Sequence, residues 1–211
     1  AWQALQQGDA HLTETAARLL LAANFPAAVE QAPAWLDAEN PRLRAAAAVG
    51  CLHSDASALQ IKAREVVETL LASSEPGNYL AALGALAAMP HEALLPSVRP
   101  FLAYENARAR ELALRIWSRC PHEASDEMVE ILDTALRDPS HEVRTGAIRA
   151  AALLRCANSP ALDWLGNALH DPDYRVRRAA RECARSFMPG HREAWIKALA
   201  ERETDFDLQN V

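Results

Sequence analysis

The sequence predicts an all-α fold built from repeated helix pairs, and three observations support this prediction. The segment Asp138–Arg144 returns 33 residues later as Asp171–Arg177, with the shared frame Asp-Pro-x-x-x-Val-Arg. A period of this length is typical of helical-repeat architectures. Half of the chain is hydrophobic, much of it alanine, and only 7 residues are glycine, a composition that favours helices. No alternating apolar pattern indicates β-strands.

The repeat can be traced through the chain from the last arginine of the frame. A leucine lies eight residues before Arg144 and before Arg177. The same step occurs before Arg110 and Arg44, whereas Tyr79 replaces the arginine in a weaker copy. The successive anchor positions are Thr13, Arg44, Tyr79, Arg110, Arg144 and Arg177. We therefore expect five recognisable units and one truncated unit.

Each unit is interpreted as two helices joined by a proline-containing turn. Met128, Ile131 and Leu132 form a helical stripe on the first helix of the fourth complete unit. Asp138-Pro139 is then expected to end that helix and start the next, with the acid as N-cap and proline at the first helical position. Asn40-Pro41 predicts the same transition near the N-terminus.

One domain is predicted over residues 1–203, followed by a polar tail at 204–211. Its expected parts are a truncated unit 1–24, units 25–54, 56–89, 91–120, 123–157 and 159–188, and a closing helix 190–202. The chain starts at Ala1 rather than methionine, and its first unit is truncated. Two expectations follow: the chain acts alone, or it is the interaction domain of a longer polypeptide.

The frame and the small apolar residues after it resemble the HEAT repeat, in its bacterial HEAT-like or PBS-lyase HEAT-like form, over residues 36–187. The resemblance implies an α-solenoid of about five to six helix pairs, with first helices on the convex face and second helices on the concave face. It also implies that the charged frame residues form a hydrogen-bonded ladder between neighbouring units. The ladder residues would be Asp138, Arg144, Asp171, Arg177, Arg44 and Arg110.

Composition limits the possible functions and settings. The net charge is −6 and the pI about 5.7, which disfavours nucleic acid as the partner. No apolar run reaches the roughly 20 residues of a membrane span, so we expect a cytoplasmic protein or the cytoplasmic domain of a larger one. The four cysteines are widely spaced, which predicts neither a disulfide framework nor a zinc site.

No catalytic residue, cofactor or metal ligand is predicted. The dipeptides His91-Glu92, His122-Glu123 and His141-Glu142 bear a likeness to the iron-binding motifs of deoxyhypusine hydroxylase, a HEAT-like enzyme. In that family, however, the motifs occupy matching positions of successive second helices, which they do not here. The resemblance leaves two alternatives open: a bilin-lyase-like or other HEAT-type enzyme, and a DNA-binding HEAT-like protein.

The leading hypothesis is a non-catalytic scaffold, or an interaction or regulatory domain of a larger protein, that binds a protein or peptide. Counting from the anchors places certain positions on the outward side of the second helices, where they would change from apolar to basic along the chain. These positions include Val49, Leu52, Leu80, Leu83, Arg115, Arg149, Arg178, Arg181 and Arg185. The alternative is that neighbouring helices bury the alanine-rich members and that the arginines form a solvated end face.

Overall fold

The computed structural model of this protein describes residues 10–120, 126–153 and 161–186. Every regular element within these ranges is helical. The chain divides into two compact units, Ala1–Cys120 and Pro121–Val211. Among the described residues, no helix combines the length and the apolar character that crossing a membrane requires.

The first unit stacks helices in two rows. Its helices are α1 (Ala10–Ala22), α2 (Pro26–Leu36), α3 (Pro41–Leu52), α4 (Ser57–Leu71), α5 (Pro76–Ala88), α6 (Leu95–Val98) and α7 (Ala107–Arg119). The second helices α3, α5 and α7 pack side by side, and α1 lies against α3. The first helices α2 and α4 form the other row.

The second unit contains two described helix pairs. They are α8 (Asp126–Leu136) with α9 (His141–Leu153), and α10 (Ala161–Ala168) with α11 (Tyr174–Ser186). The helix α9 packs against all three others. Ile148, Leu165 and Ala180 are fully buried in the core between α9, α10 and α11. The predicted fold class, an all-α solenoid of stacked helix pairs, is confirmed.

The turn chemistry agrees with the prediction in the first unit and differs in the second. Asn40 is the N-cap of α3 and accepts a hydrogen bond from the Arg42 N–H (2.9 Å), with Pro41 at the first helical position. In contrast, α9 begins only at His141, so the prediction that Asp138 caps it directly is wrong. The Asp138 carboxylate instead accepts from the Ser140 N–H (2.8 Å) and closes an Asx turn before the helix.

The first helix of the predicted unit 91–120 is not continuous. It consists of a 3₁₀ turn (Glu92–Leu94), the short α6, and a second 3₁₀ segment (Arg99–Ala103). Pro96 and Pro100 lack the N–H that an α-helix interior needs, and their rings crowd the preceding turn. Each proline instead lies in the first turn of its own short segment, where the missing N–H has no intrahelical partner to lose.

A glycine permits a close contact between two helices of the first unit. A Cβ placed on Gly50 of α3 would lie 2.6 Å from the Arg18 carbonyl oxygen and 2.9 Å from the Leu21 Cβ, both on α1. Only glycine therefore permits α1 and α3 to approach this closely.

Candidate functional site

The repeated frame forms a hydrogen-bonded link between the two helix pairs of the second unit. Arg144 donates from Nε and Nη2 to the two carboxylate oxygens of Asp171, at 2.7 and 2.9 Å. The side chains are only 14% and 10% exposed. Arg144 Nη1 also donates to the carbonyl oxygens of Asp138 (2.8 Å) and Pro139 (3.1 Å) in its own unit. The Arg144 guanidinium thus makes four hydrogen bonds within the fold.

Two further frame arginines make the same carbonyl contacts as Arg144. Arg177 Nη1 donates to the carbonyl oxygens of Asp171 (2.7 Å) and Pro172 (2.9 Å). Arg110 Nη1 donates in the same way to Tyr104 and Glu105, at 2.7 and 2.8 Å. Arg44 is half-buried at the start of α3.

An aromatic contact replaces the ion pair at the weaker copy of the frame. Tyr79 stands where the arginine is expected, and Tyr104 stands at the acid position of the following unit. Their rings meet edge to face with centroids 5.2 Å apart, and Phe101 packs on both. The ladder position is therefore retained while its chemistry changes from charge pairing to aromatic packing.

The apolar half of the predicted concave face is not on a free surface. Val49 and Leu83 are fully buried and Leu52 is only 8% exposed, while Leu80 is half-buried. The expectation that Val49, Leu52 and Leu83 face outward is wrong, because α1 and α5 pack against α3, and α3 and α7 pack against α5. Short alanine side chains permit that approach, so this part of the alternative hypothesis holds.

Arg115 lies half-buried on α7. Its Nη1 is 3.7 Å from the Glu111 carboxylate, one helical turn earlier. Its Nε is enclosed and has no hydrogen-bond partner among the described residues. The side chain therefore belongs in part to the interior of the first unit.

The basic half of the predicted face is exposed on α9 and α11. The Arg149 and Arg178 side chains are 64% and 74% exposed, and they converge on one carboxylate, that of Glu182. The Arg178 Nε is 2.8 Å and the Arg149 Nη2 is 3.9 Å from its oxygens. Arg181 is half-buried beside them. The side chain of Arg185 lies outside the described residues.

An aromatic and cationic edge adjoins these arginines, and the sequence reasoning missed it. Tyr174 is 60% exposed at the first position of α11. Arg175 lies over its ring, 5.5 Å from the centroid, and also hydrogen-bonds His141 Nε2. His141 and Tyr174 each occur three residues before a frame arginine. That equal spacing was the signal that could have found them.

We call a set of exposed and half-buried side chains of α9 and α11 the arginine surface. Its members are His141, Glu142, Arg149, Tyr174, Arg175, Arg178, Arg181 and Glu182.

The described residues offer little reactive chemistry. Burial raises the pKa of the Cys51 thiol to about 11, and burial likewise raises the pKa of Cys120 and Cys183. These thiols are therefore protonated and weakly nucleophilic near neutral pH. No group of three or more metal-ligating side chains occurs among the described residues. His122 and Cys156 lie outside them.

A cavity of about 140 Å³ lies beside the ladder in the second unit. Trp164, Leu136 and Asn167 contribute to its lining. Two ion pairs, Arg144–Asp171 and Arg137–Asp133, supply its charged groups. The cavity is smaller than the roughly 300 Å³ or more of typical ligand pockets, so the arginine surface remains the stronger candidate site.

The described helices define a helical-repeat protein, and charged side chains are exposed on the second helices of its second unit. The family model for HEAT repeats matches residues 128–207. The resemblance inferred from the frame is therefore confirmed for the C-terminal part of the chain.

A solved structure is also similar to this chain. It is the crystal structure of an engineered protein, a target of the Northeast Structural Genomics Consortium. The similarity has a TM-score of 0.49 and 20% identity, and covers 86% of this chain and 92% of that one. None of the curated proteins matches this chain.

Proposed function

We propose that this chain is a non-catalytic binding module, alone or within a larger protein, that holds a protein or peptide segment on the outward side of its second helices. The proposal rests on the observation that the arginines of the second unit differ in their contacts and exposure. The Arg144 guanidinium is hydrogen-bonded within the ladder, whereas the side chains of Arg149 and Arg178 are exposed to solvent. The ladder thus fixes the position of side chains that are themselves available to a partner.

Several observations support a binding role over catalysis. HEAT repeats are generally non-enzymatic scaffolds and commonly mediate protein interactions. The described cysteines have raised pKa values, and the charged groups of the cavity beside the ladder are paired. A cytoplasmic setting is part of the proposal, because Cys51 and Cys120 are buried free thiols of the kind that a reducing compartment maintains.

Selection from a random peptide library tests the proposal without assuming a partner. The immobilised protein would be panned against displayed peptides, and enriched clones would be tested on the double variant Arg149→Gln/Arg178→Gln. The matched control, Lys62→Gln/Arg64→Gln, removes the same charge from exposed ion pairs of α4, on the first-helix row. We expect enriched clones whose binding is lost in the first variant and kept in the control.

Two results would contradict the proposal. One is that no clone is enriched over an unrelated immobilised protein. The other is that the two variants weaken the enriched clones equally, since the second helices would then have no special role. A gel shift with duplex DNA at about 150 mM salt and an absorbance scan after incubation with a bilin examine the two alternative functions directly.

A further inference from the structure

The arginine surface contains an exposed aromatic ring as well as cations. Tyr174 and Arg178 are four residues apart on α11, so they lie on the same side of the helix, about 6 Å apart along its axis. Both are largely exposed. Tyrosine and arginine are the residues that most often dominate the binding energy of protein interfaces. Because both side chains lie on one face of α11, we interpret this face as a binding surface rather than as a solvated end of the repeat.

The ring of Tyr174 is held in place by its neighbours. The guanidinium of Arg175 lies over it, and the same group hydrogen-bonds His141 of the preceding helix pair. A ring that is already restrained loses less conformational entropy on binding than a free one. Tyr174 therefore offers a preorganised apolar platform beside charged groups.

The neighbouring arginines are arranged around a single carboxylate. Arg178 uses its Nε to bind Glu182 at 2.8 Å, while the closest oxygen of the same group is 3.9 Å from Arg149. The Arg149 guanidinium makes no hydrogen bond within the described part of the chain, and it has five donors. Glu182 thus marks a position where carboxylate oxygens fit, and it leaves donors of both arginines for further oxygens.

We propose that the arginine surface binds an acidic peptide segment whose carboxylates meet Arg149 and Arg178 and whose apolar side chain packs on Tyr174. This inference rests on the proposed binding function and names its partner class. Charge complementarity supports it, since the arginine surface has four arginines and two glutamates, a sum of +2 with His141 neutral, in a chain whose net charge is −6.

The distribution of charge favours a peptide over nucleic acid. Glu182 stands among the exposed arginines, and Glu142 accepts a hydrogen bond from Ser140 at the edge of the same surface. A polyanion would meet these carboxylates wherever it followed the helices. A peptide can place carboxylates only at the cationic positions, whereas counterion release on nucleic acid requires several phosphates to be neutralised together.

Three synthetic peptide pools test the inference by fluorescence anisotropy at about 150 mM salt. The peptides of each pool are 13 residues long, which is the length of α11. The first carries several glutamates with one leucine a helical turn away, the second has serine in place of the leucine, and the third has glutamine in place of every glutamate. We expect the first pool to bind about tenfold more tightly than the second, and the third not to bind.

Three variants test which residues supply the apolar and the charged contributions to peptide binding. Tyr174→Ser should remove the difference between the first and second pools while the affinity for the second stays unchanged. Arg149→Gln/Arg178→Gln should weaken binding of both acidic pools at least tenfold, and the control Lys62→Gln/Arg64→Gln should weaken neither. Circular dichroism of each variant verifies that the helices are intact.

The inference is overturned if the glutamine pool binds as well as the glutamate pool, or if no pool binds. It is equally overturned if a single-stranded oligothymidylate competes more strongly than the acidic pools. Library selection separates these outcomes from failure of the proposed function. Enriched clones that depend on Arg149 and Arg178 but carry no acidic residues would leave the binding function standing and remove only the acidic partner.

Discussion

Removal of the Asp171 carboxylate is the most direct test of the ladder. The substitution Asp171→Ala deletes both acceptors of Arg144 and also the acceptor of the Asp173 N–H, which donates at 2.8 Å. Removing one partner of a buried ion pair costs about 3–5 kcal/mol. Arg144 keeps its bonds to the Asp138 and Pro139 carbonyl oxygens. We therefore expect a loss of about 2–3 kcal/mol in the free energy of unfolding.

Urea unfolding followed by circular dichroism measures this loss. With a slope of about 1–3 kcal/mol per molar urea, the midpoint should fall by about 1 M. The matched control is Asp133→Ala on α8, which removes the acceptor of an exposed bidentate pair with Arg137. Because solvent screens exposed pairs, the control should cost less than about 1 kcal/mol.

The pH dependence gives the experiment a second readout. Burial alone would raise the pKa of Asp171, but hydrogen bonds from Arg144 and the Asp173 N–H, with the charges of Arg144 and Arg177, lower it below the ordinary value of 3.8. A lowered folded-state pKa stabilises the protein above the unfolded-state value and loses that effect as the pH falls through the folded-state value. The difference between wild type and Asp171→Ala should therefore shrink below about pH 4.

Equal losses for Asp171→Ala and Asp133→Ala would refute the reasoning. A loss that does not depend on pH would do the same, since it would assign the effect to packing rather than to charge.

Three further predictions concern the first unit. Gly50→Ala should destabilise by about 2 kcal/mol or more because its methyl group would overlap α1, whereas Gly84→Ala, whose methyl group meets no atom within 4 Å, should stabilise by about 0.5–1 kcal/mol. Leu83→Ala should cost about 3 kcal/mol in a fully buried site, and the half-buried Leu80→Ala about 1 kcal/mol. Finally, burial above all lowers the pKa of His91, so the unfolded chain binds more protons and stability should decrease as the pH falls below about 6.5, less steeply in His91→Gln.

Thermal and urea unfolding at neutral pH measure the four glycine and leucine variants, and a pH series measures the histidine variant. A stabilising Gly50→Ala would contradict the close approach of α1 and α3. Equal costs at the two leucines would contradict their different burial. For His91, the groups that oppose its protonation are His53 and Arg64, while Glu92 favours it. An unchanged pH slope in His91→Gln would contradict the lowered pKa of His91.

Much of the fold could be predicted because the repeated motif recurs at a nearly constant spacing. The spacing of Arg144 and Arg177 fixed the register of the units, and each described helix pair falls within one predicted unit. Helix boundaries were less predictable where two polar residues competed to start a helix. Asp171 and Asp173 both accept backbone hydrogen bonds ahead of α11, and Asp173 accepts the one from Arg175 in its first turn.

The candidate site was predictable only in its charged part. Arg149 and Arg178 are exposed as expected, because a charged side chain resists burial wherever its helix is placed. Val49 and Leu83 were assigned to the same outward side and are buried. Periodicity identifies the side that faces a helix's own partner, but it contains no information on how closely the helices of adjacent pairs approach.

The sequence by itself determined the helical-repeat class, because that class follows from helix propensity and a fixed period. The structural use of the frame was implied by the resemblance to HEAT repeats. Tertiary structure alone decided which outward positions remain accessible. The alanines of α3 and the missing side chain of Gly50 let α1 and α5 cover the part of the predicted face that lies on α3. The longer charged side chains of α11 stay in solvent, and Tyr174 joins them there. Packing distance, which depends on the size of the side chains of both neighbours, makes that difference.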